Sequence, residues 1–222
     1  MSKFFLLLIA TLLLLLGAES ARSQTVVDFS GITYWVGSGS NEAAMVIDWN
    51  NGSTMESFVW GYRWDGMATG MDMLEAITTD DARLEYNPVP GFPTAVYAFY
   101  YDFDGDGGGF VQGAIGVEDG SANDPDDYYA EGWLGGFWSY WLNSPSSPGD
   151  EPYNGGDWEF SAVGMADRDL FDGAWDGWSF DADGFGGTTF LPEIPVAAIP
   201  EPSIMIYLIG GLLGLLFQRR RN

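Results

Sequence analysis

The chain has 222 residues and a formal net charge of −24, with no cysteine and no histidine. Those absences exclude disulfides, a Ser-His-Asp or Cys-His nucleophile pair, and a zinc site of ordinary ligands. A chain this acidic also excludes nucleic acid as a partner, because phosphates and carboxylates repel.

Residues 1–23 read as a signal peptide. Lys3 supplies a basic start, 4–17 an apolar core, and Ala21-Arg22-Ser23 an A-x-A-like cleavage site, with Ala18-Glu19-Ser20 as a second option. Residues 24–191 follow as one acidic domain of ordinary size, and 192–199 as a stalk. The stretch 24–199 has three basic residues, Arg63, Arg83 and Arg168, and all but two of the 32 acids, a net charge of −27. Ten Trp, 11 Tyr and 15 Phe in the chain argue against disorder. Rings at that density need a packed interior or a binding surface.

Strand and turn signals dominate the domain. Runs at 31–36, 44–49 and 57–64 are β-branched and aromatic, and Asn50-Asn51-Gly52 between the last two is a hairpin signal. One helix is predicted over 70–78. Thr69 caps it, Asp72 completes a short-armed capping box, and Met73, Leu74 and Ile77 form its apolar stripe. Pro88, Pro90 and Pro93 predict an extended linker. Residues 95–103 and 109–117 read as partner strands around a Gly/Asp loop, and 119–127 as an acidic loop. Residues 133–142 form a strongly aromatic strand, 144–156 a Pro/Ser/Gly loop, and 158–163 and 175–180 the last strands. This order predicts a β-rich domain, an antiparallel sheet or sandwich with one short helix packed on it.

Four sets of residues are candidates for chemistry. Asp102, Asp104 and Asp106, with Gly107, place three carboxylates around one point, as calcium loops do. The EF-hand closing glutamate is missing, since that position is Gly113, and Glu118 or Asp119 is the expected substitute; the alternative is a solvated turn. Clusters at Asp124, Asp126 and Asp127 and at Asp181 and Asp183 read as solvated loops. Trp138 and Tyr140 share one face of their strand, Phe137, Ser139 and Trp141 the other. An exposed face would stack sugar rings; a buried one would be core. The three arginines are expected to pair with carboxylates and brace the fold, Arg63 also lying on an indole. With 30 acids in the domain, some pair at glycosidase spacing is expected by chance, so acid pairs carry little signal.

The end of the chain completes the pattern. Pro200-Glu201-Pro202 precedes an apolar run at 204–217, followed by Arg219, Arg220 and Arg221. The run predicts a short transmembrane helix of about 21 Å, against a hydrocarbon core of about 30 Å, with the arginines as a cytoplasmic stop. Motif, helix and arginines together resemble the PEP-CTERM sorting signal of Gram-negative bacteria that make exopolysaccharide. The resemblance covers about the last 24 residues. It implies an exported protein held first in the inner membrane through its C-terminal helix. An exosortase-type protease then cuts it near Pro-Glu-Pro and releases or re-anchors it outside the cell. Together with the acidic, aromatic-rich domain, this predicts a non-enzymatic protein that works in or on the extracellular polysaccharide at the cell surface. Gly-Tyr-Arg-Trp-Asp-Gly at 61–66, Met73-Leu74-Glu75-Ala76-Ile77 and Trp138-Ser139-Tyr140-Trp141 resemble, more distantly, secreted ligand-binding domains of the transcobalamin C-terminal type. That likeness implies a carbohydrate- or small-ligand-binding module instead, and a carboxylate-dependent glycoside hydrolase is a third expectation.

Overall fold

The computed structural model describes residues 25–50, 57–143, 151–182, 184 and 190–199. Two larger β-sheets, a two-stranded ribbon and one α-helix make up the described body. The main sheet has seven strands: β1 (Trp35–Gly37), β2 (Asn41–Asp48), β3 (Ser57–Trp64), β9 (Phe137–Asn143), β10 (Trp158–Phe160), β11 (Ala174–Asp181) and β12 (Val196–Ala197). Their order is β1-β3-β2-β11-β9-β10, with β12 on β3. A second sheet holds β4 (Leu84–Val89), β5 (Phe92–Tyr101) and β8 (Tyr128–Glu131), and β6 (Phe110–Val111) pairs with β7 (Ser121–Ala122).

The small sheet is antiparallel throughout, as expected. The main sheet is mixed: β11 runs parallel to β2, and β1 and β12 run parallel to β3. Parallel neighbours need long connections, and β2 and β11 are separated by most of the domain. Alternation along β2 sends Ala43, Met45 and Ile47 to one face, and Ala44 and Val46 to the other. Both faces are covered, so β2 reads as a continuous apolar run. The first face meets the small sheet across an aromatic interior. Trp49, just past β2, sits at its centre, with Phe58, Phe99, Tyr101, Tyr128 and Trp138 at 5.8–6.3 Å between ring centroids. The second face is covered by Val26, Phe29 and Ile32 from the N-terminal segment, by Tyr153, and by Ala197 of β12.

The helix α1 (Gly70–Asp80) closes one side of the interior with Met73, Leu74 and Ile77. The predicted capping box is present: Asp72 N donates to Thr69 Oγ1 at 3.2 Å, and Thr69 N to the Asp72 carboxylate at 2.8 Å. Other expectations change. The prolines do not make a linker, because β4 and β5 form a hairpin turning at Pro90-Gly91, with Pro88 at a register shift where its missing N–H is tolerated. Of the strand predicted over 109–117, Phe110 and Val111 pair, and with β7 rather than β5. The stretch 192–199 is not a stalk: β12 lies in the main sheet, and Thr25 bridges Val196. Among the described residues no helix is long and apolar enough to cross a membrane. The predicted signal peptide, Pro200-Glu201-Pro202, the 204–217 run and Arg219, Arg220 and Arg221 lie outside the described residues.

Candidate functional site

Strand β5 ends at Tyr101, and the chain then turns through Asp102, Asp104 and Asp106. One carboxylate oxygen from each lies within 4.8 Å of the others. Oxygens around one calcium ion, at about 2.3–2.6 Å from it, are up to about 5 Å apart, so the spacing suits a hard cation. Asp102 is buried, and its carboxylate accepts the amides of Gly105 at 2.8 Å and Gly107 at 2.9 Å. Asp104 and Asp106 are exposed. Gly105 and Gly107 have positive φ, 75° and 86°, which lets the turn fold back on Asp102.

Further carboxylates approach from the loop before β8. A Cβ on Gly108 would meet the Asp124 Cβ and an Asp127 carboxylate oxygen at 2.8 Å and an Asp106 carboxylate oxygen at 3.5 Å. Asp127 accepts the Tyr100 hydroxyl at 2.6 Å and the Phe103 amide at 3.0 Å, tying the two loops together. The neighbouring Asp104 carboxylate, then burial and Asp124, push the Asp106 carboxyl up. Burial raises Asp127 against the hydrogen bonds that oppose it. A divalent cation here would neutralise crowded like charge. Its first ligands would be Asp102, Asp104 and Asp106, with Asp124 and Asp127 on the neighbouring loop.

Glu118, an expected closing ligand, is engaged elsewhere. Glu118, itself at φ 54°, turns its carboxylate to the amides of Trp133 at 2.7 Å, Leu134 at 2.8 Å and Gly135. Burial raises its carboxyl, but those amides outweigh burial and hold it below the ordinary value. Glu131, buried, accepts Gly113 N at 2.8 Å, Gly120 N at 2.6 Å and Tyr129 Oη at 2.5 Å. These two glutamates organise the glycine loops between β6 and β9. The dense glycines at 107–120 and 132–136 were the sequence signal for this, since packed amides need an acceptor when no strand pairs with them.

The aromatic platform is overturned. Trp138 is 2% exposed and Tyr140 6%, and both rings face the interior between the sheets. Trp138 Nε1 donates to the Ala130 carbonyl at 3.2 Å. Tyr140 stacks on Trp178 at 4.4 Å and donates its hydroxyl to Asp176. The opposite face is closed too, with Trp141 buried and donating to Ser139 Oγ at 3.1 Å. No sugar can stack on rings whose faces are in van der Waals contact with other rings.

Each of the three arginines among the described residues pairs with a carboxylate, as expected: Arg63 with Glu42 at 2.9 Å, Arg83 with Asp81 at 2.8 Å and Arg168 with Asp176 at 3.3 Å. Arg63 also lies over Trp35, 4.3 Å from the ring centre. Asp176 is fully buried; burial pushes its carboxyl up, opposed by Arg168 and Tyr140. The Tyr140–Asp176–Arg168 group was not foreseen, because the three residues belong to different segments and meet beneath Gly70 at the start of α1.

No family model matches the chain, and neither a curated protein nor a solved structure matches it.

Proposed function

We propose that this is a secreted, surface-sorted, non-enzymatic protein of the extracellular polysaccharide matrix, cut near Pro200-Glu201-Pro202 by an exosortase-type membrane protease. The observation that carries the reading is where the folded body closes. Thr25 bridges Val196, the Val26 amide donates to the Pro195 carbonyl at 2.8 Å, and Arg83 holds the Ile199 carbonyl at 2.5 Å. The body thus closes within a residue or two of both segments whose sequences resemble export matter. Such closure supports the view that 1–23 and 200–222 are addressing segments and that 25–199 is the working domain.

The domain's own chemistry supports a matrix role over the binding reading. Its aromatic rings at Trp138 and Tyr140 are spent on the core, and its surface is dominated by carboxylates that repel anionic polymers unless cations bridge them. Intact-mass measurement of protein from the cell surface tests the processing: a species lacking 1–23 and ending close to Pro202 is expected. A mass that retains Arg219, Arg220 and Arg221 would overturn it.

A further inference from the structure

The residues before the processing motif are tied down one after another. Tyr153 Oη donates to the carbonyls of Pro192 at 3.0 Å and Glu193 at 2.8 Å. The Glu193 amide donates to the buried Asp48 carboxylate at 2.9 Å. Ala198 N donates to the Val59 carbonyl at 3.0 Å, and Thr33 Oγ1 to the Ala198 carbonyl at 2.9 Å. Among the described residues, the tie nearest the motif is the Arg83 guanidinium on the Ile199 carbonyl. That guanidinium is itself fixed: its Nε and an Nη donate to Asp81 at 2.8 and 3.0 Å, Trp60 Nε1 donates to the same carboxylate at 3.0 Å, and the Tyr101 ring lies 5.2 Å away. Arg83 is 8% exposed and Asp81 1%.

Endopeptidases hold their substrates as extended strands and use the substrate's backbone N–H and C=O groups to do so. In 192–199 many of those groups are already committed to the body, at Pro192, Glu193, Pro195, β12, Ala198 and the Ile199 carbonyl. We infer that Arg83 is a positioning residue for processing: it pins the chain at Ile199 and so shields the bonds before it from a protease. The inference rests on the processing reading above and adds to it the place where cutting can begin. Cleavage there breaks one peptide bond. The acyl half passes to water, or to an acceptor amine of the envelope, and the tail leaves with the new amino group. The mature protein then keeps β12 and with it the closed edge of β3.

Two measurements test this, both on the full chain. In the first, chain in detergent micelles is digested under native conditions with a broad-specificity protease, and the protected core is weighed. In the second, the product at the surface of an exporting, processing host is weighed. Both are expected to end at Ile199 or later. Arg83→Met, which removes the tie at Ile199, moves the protected end back by a residue or more and makes the cellular product ragged. Arg83→Lys, which keeps a cation within reach of the Ile199 carbonyl, restores a single end, an outcome that a loss of stability alone would not give. Thr33→Val removes the tie at Ala198 without unpairing Asp81, and moves the end by a residue or more with an unchanged melting temperature. A wild-type core ending before Pro192, or an unmoved end in Arg83→Met, overturns the inference. If Arg83→Met does not fold, an unmoved end in Thr33→Val overturns it instead. A tail left uncut in cells, with the protected core still ending at Ile199, removes the processing reading and leaves the clamp standing.

Discussion

The space between the two sheets and the loop layer outside the small sheet are built by opposite means. Between the sheets, Trp49, Phe99, Trp138 and Trp178 meet ring to ring, with centroids 4.8–6.3 Å apart. Outside, Asp102, Glu118, Asp127 and Glu131 each gather backbone amides or a tyrosine hydroxyl. The first region is held mainly by removal of apolar surface from water, although the main sheet also buries the carboxyls of Asp48 and Asp176. The second is held by carboxylates that accept backbone amides and tyrosine hydroxyls in a domain that already carries a large negative charge, so its order is expected to respond to pH and to cations. One chain thus combines a stiff interior with an outer layer tuned by the solvent.

The comparison breaks most readily at the interior. Trp138→Ala should cost about 3–5 kcal/mol, because the cavity lies between rings that cannot collapse onto it. Urea unfolding would read this as a lower midpoint with the slope unchanged. A loss under about 1 kcal/mol would mean that the interior is not the main source of stability.

Next comes the outer layer. Glu131→Gln replaces an acceptor of three donors with a side chain that offers one acceptor oxygen, and should cost about 1.5–3 kcal/mol. The loss should be local. Amides of Gly113 and Gly120 should exchange faster than those of β2 and β11, a difference that hydrogen exchange would show.

A pH series sharpens the contrast. Burial pushes Asp48 up to about 6, and Asp106, Asp127 and Asp176 are also raised, so the folded state takes up protons more readily than the unfolded chain. Stability from these groups is present below the ordinary carboxylate pKa and is lost as pH rises through their folded values. Glu118, held low, works the other way: its contribution is present above the ordinary value and is lost as pH falls through the folded one. The melting temperature should therefore rise from pH 7 to about pH 5 and fall again below about pH 4. A monotonic fall from pH 7 downwards would contradict the assignment.

The smallest effect is that of a divalent cation. Replacing chelator with calcium equal to its dissociation constant adds about 0.4 kcal/mol, roughly 1–2 °C in melting temperature. The gain should vanish in Asp104→Asn/Asp106→Asn. No shift at millimolar calcium would retire Asp102, Asp104 and Asp106 as a cation site.

Much of the architecture was legible along the chain. Thr69 and Asp72 announced α1 because a cap is a local device, and the apolar runs announced β2, β3, β5, β9 and β11 because strands must bury at least one face. The pairing of Arg63, Arg83 and Arg168 followed from charge alone, since three cations among 30 acids in the domain will find partners. The composition likewise settled which nucleophile and zinc chemistries are absent.

What composition and periodicity left open was the neighbour of each strand. Alternation put Trp138 and Tyr140 on one face of β9, but whether that face met solvent depended on the small sheet lying across it. Residues 192–199 looked like a stalk because two short apolar residues in a proline-rich stretch carry no strand signal; they became β12 once β3 offered unpaired backbone at Phe58 and Val59. Glu118 and Glu131 were two acids among many until the glycine loops brought amides to them. Local signals fix what a segment can be. Burial, which is a property of two surfaces meeting, decides which side chains are core, which are acceptors and which remain free to act.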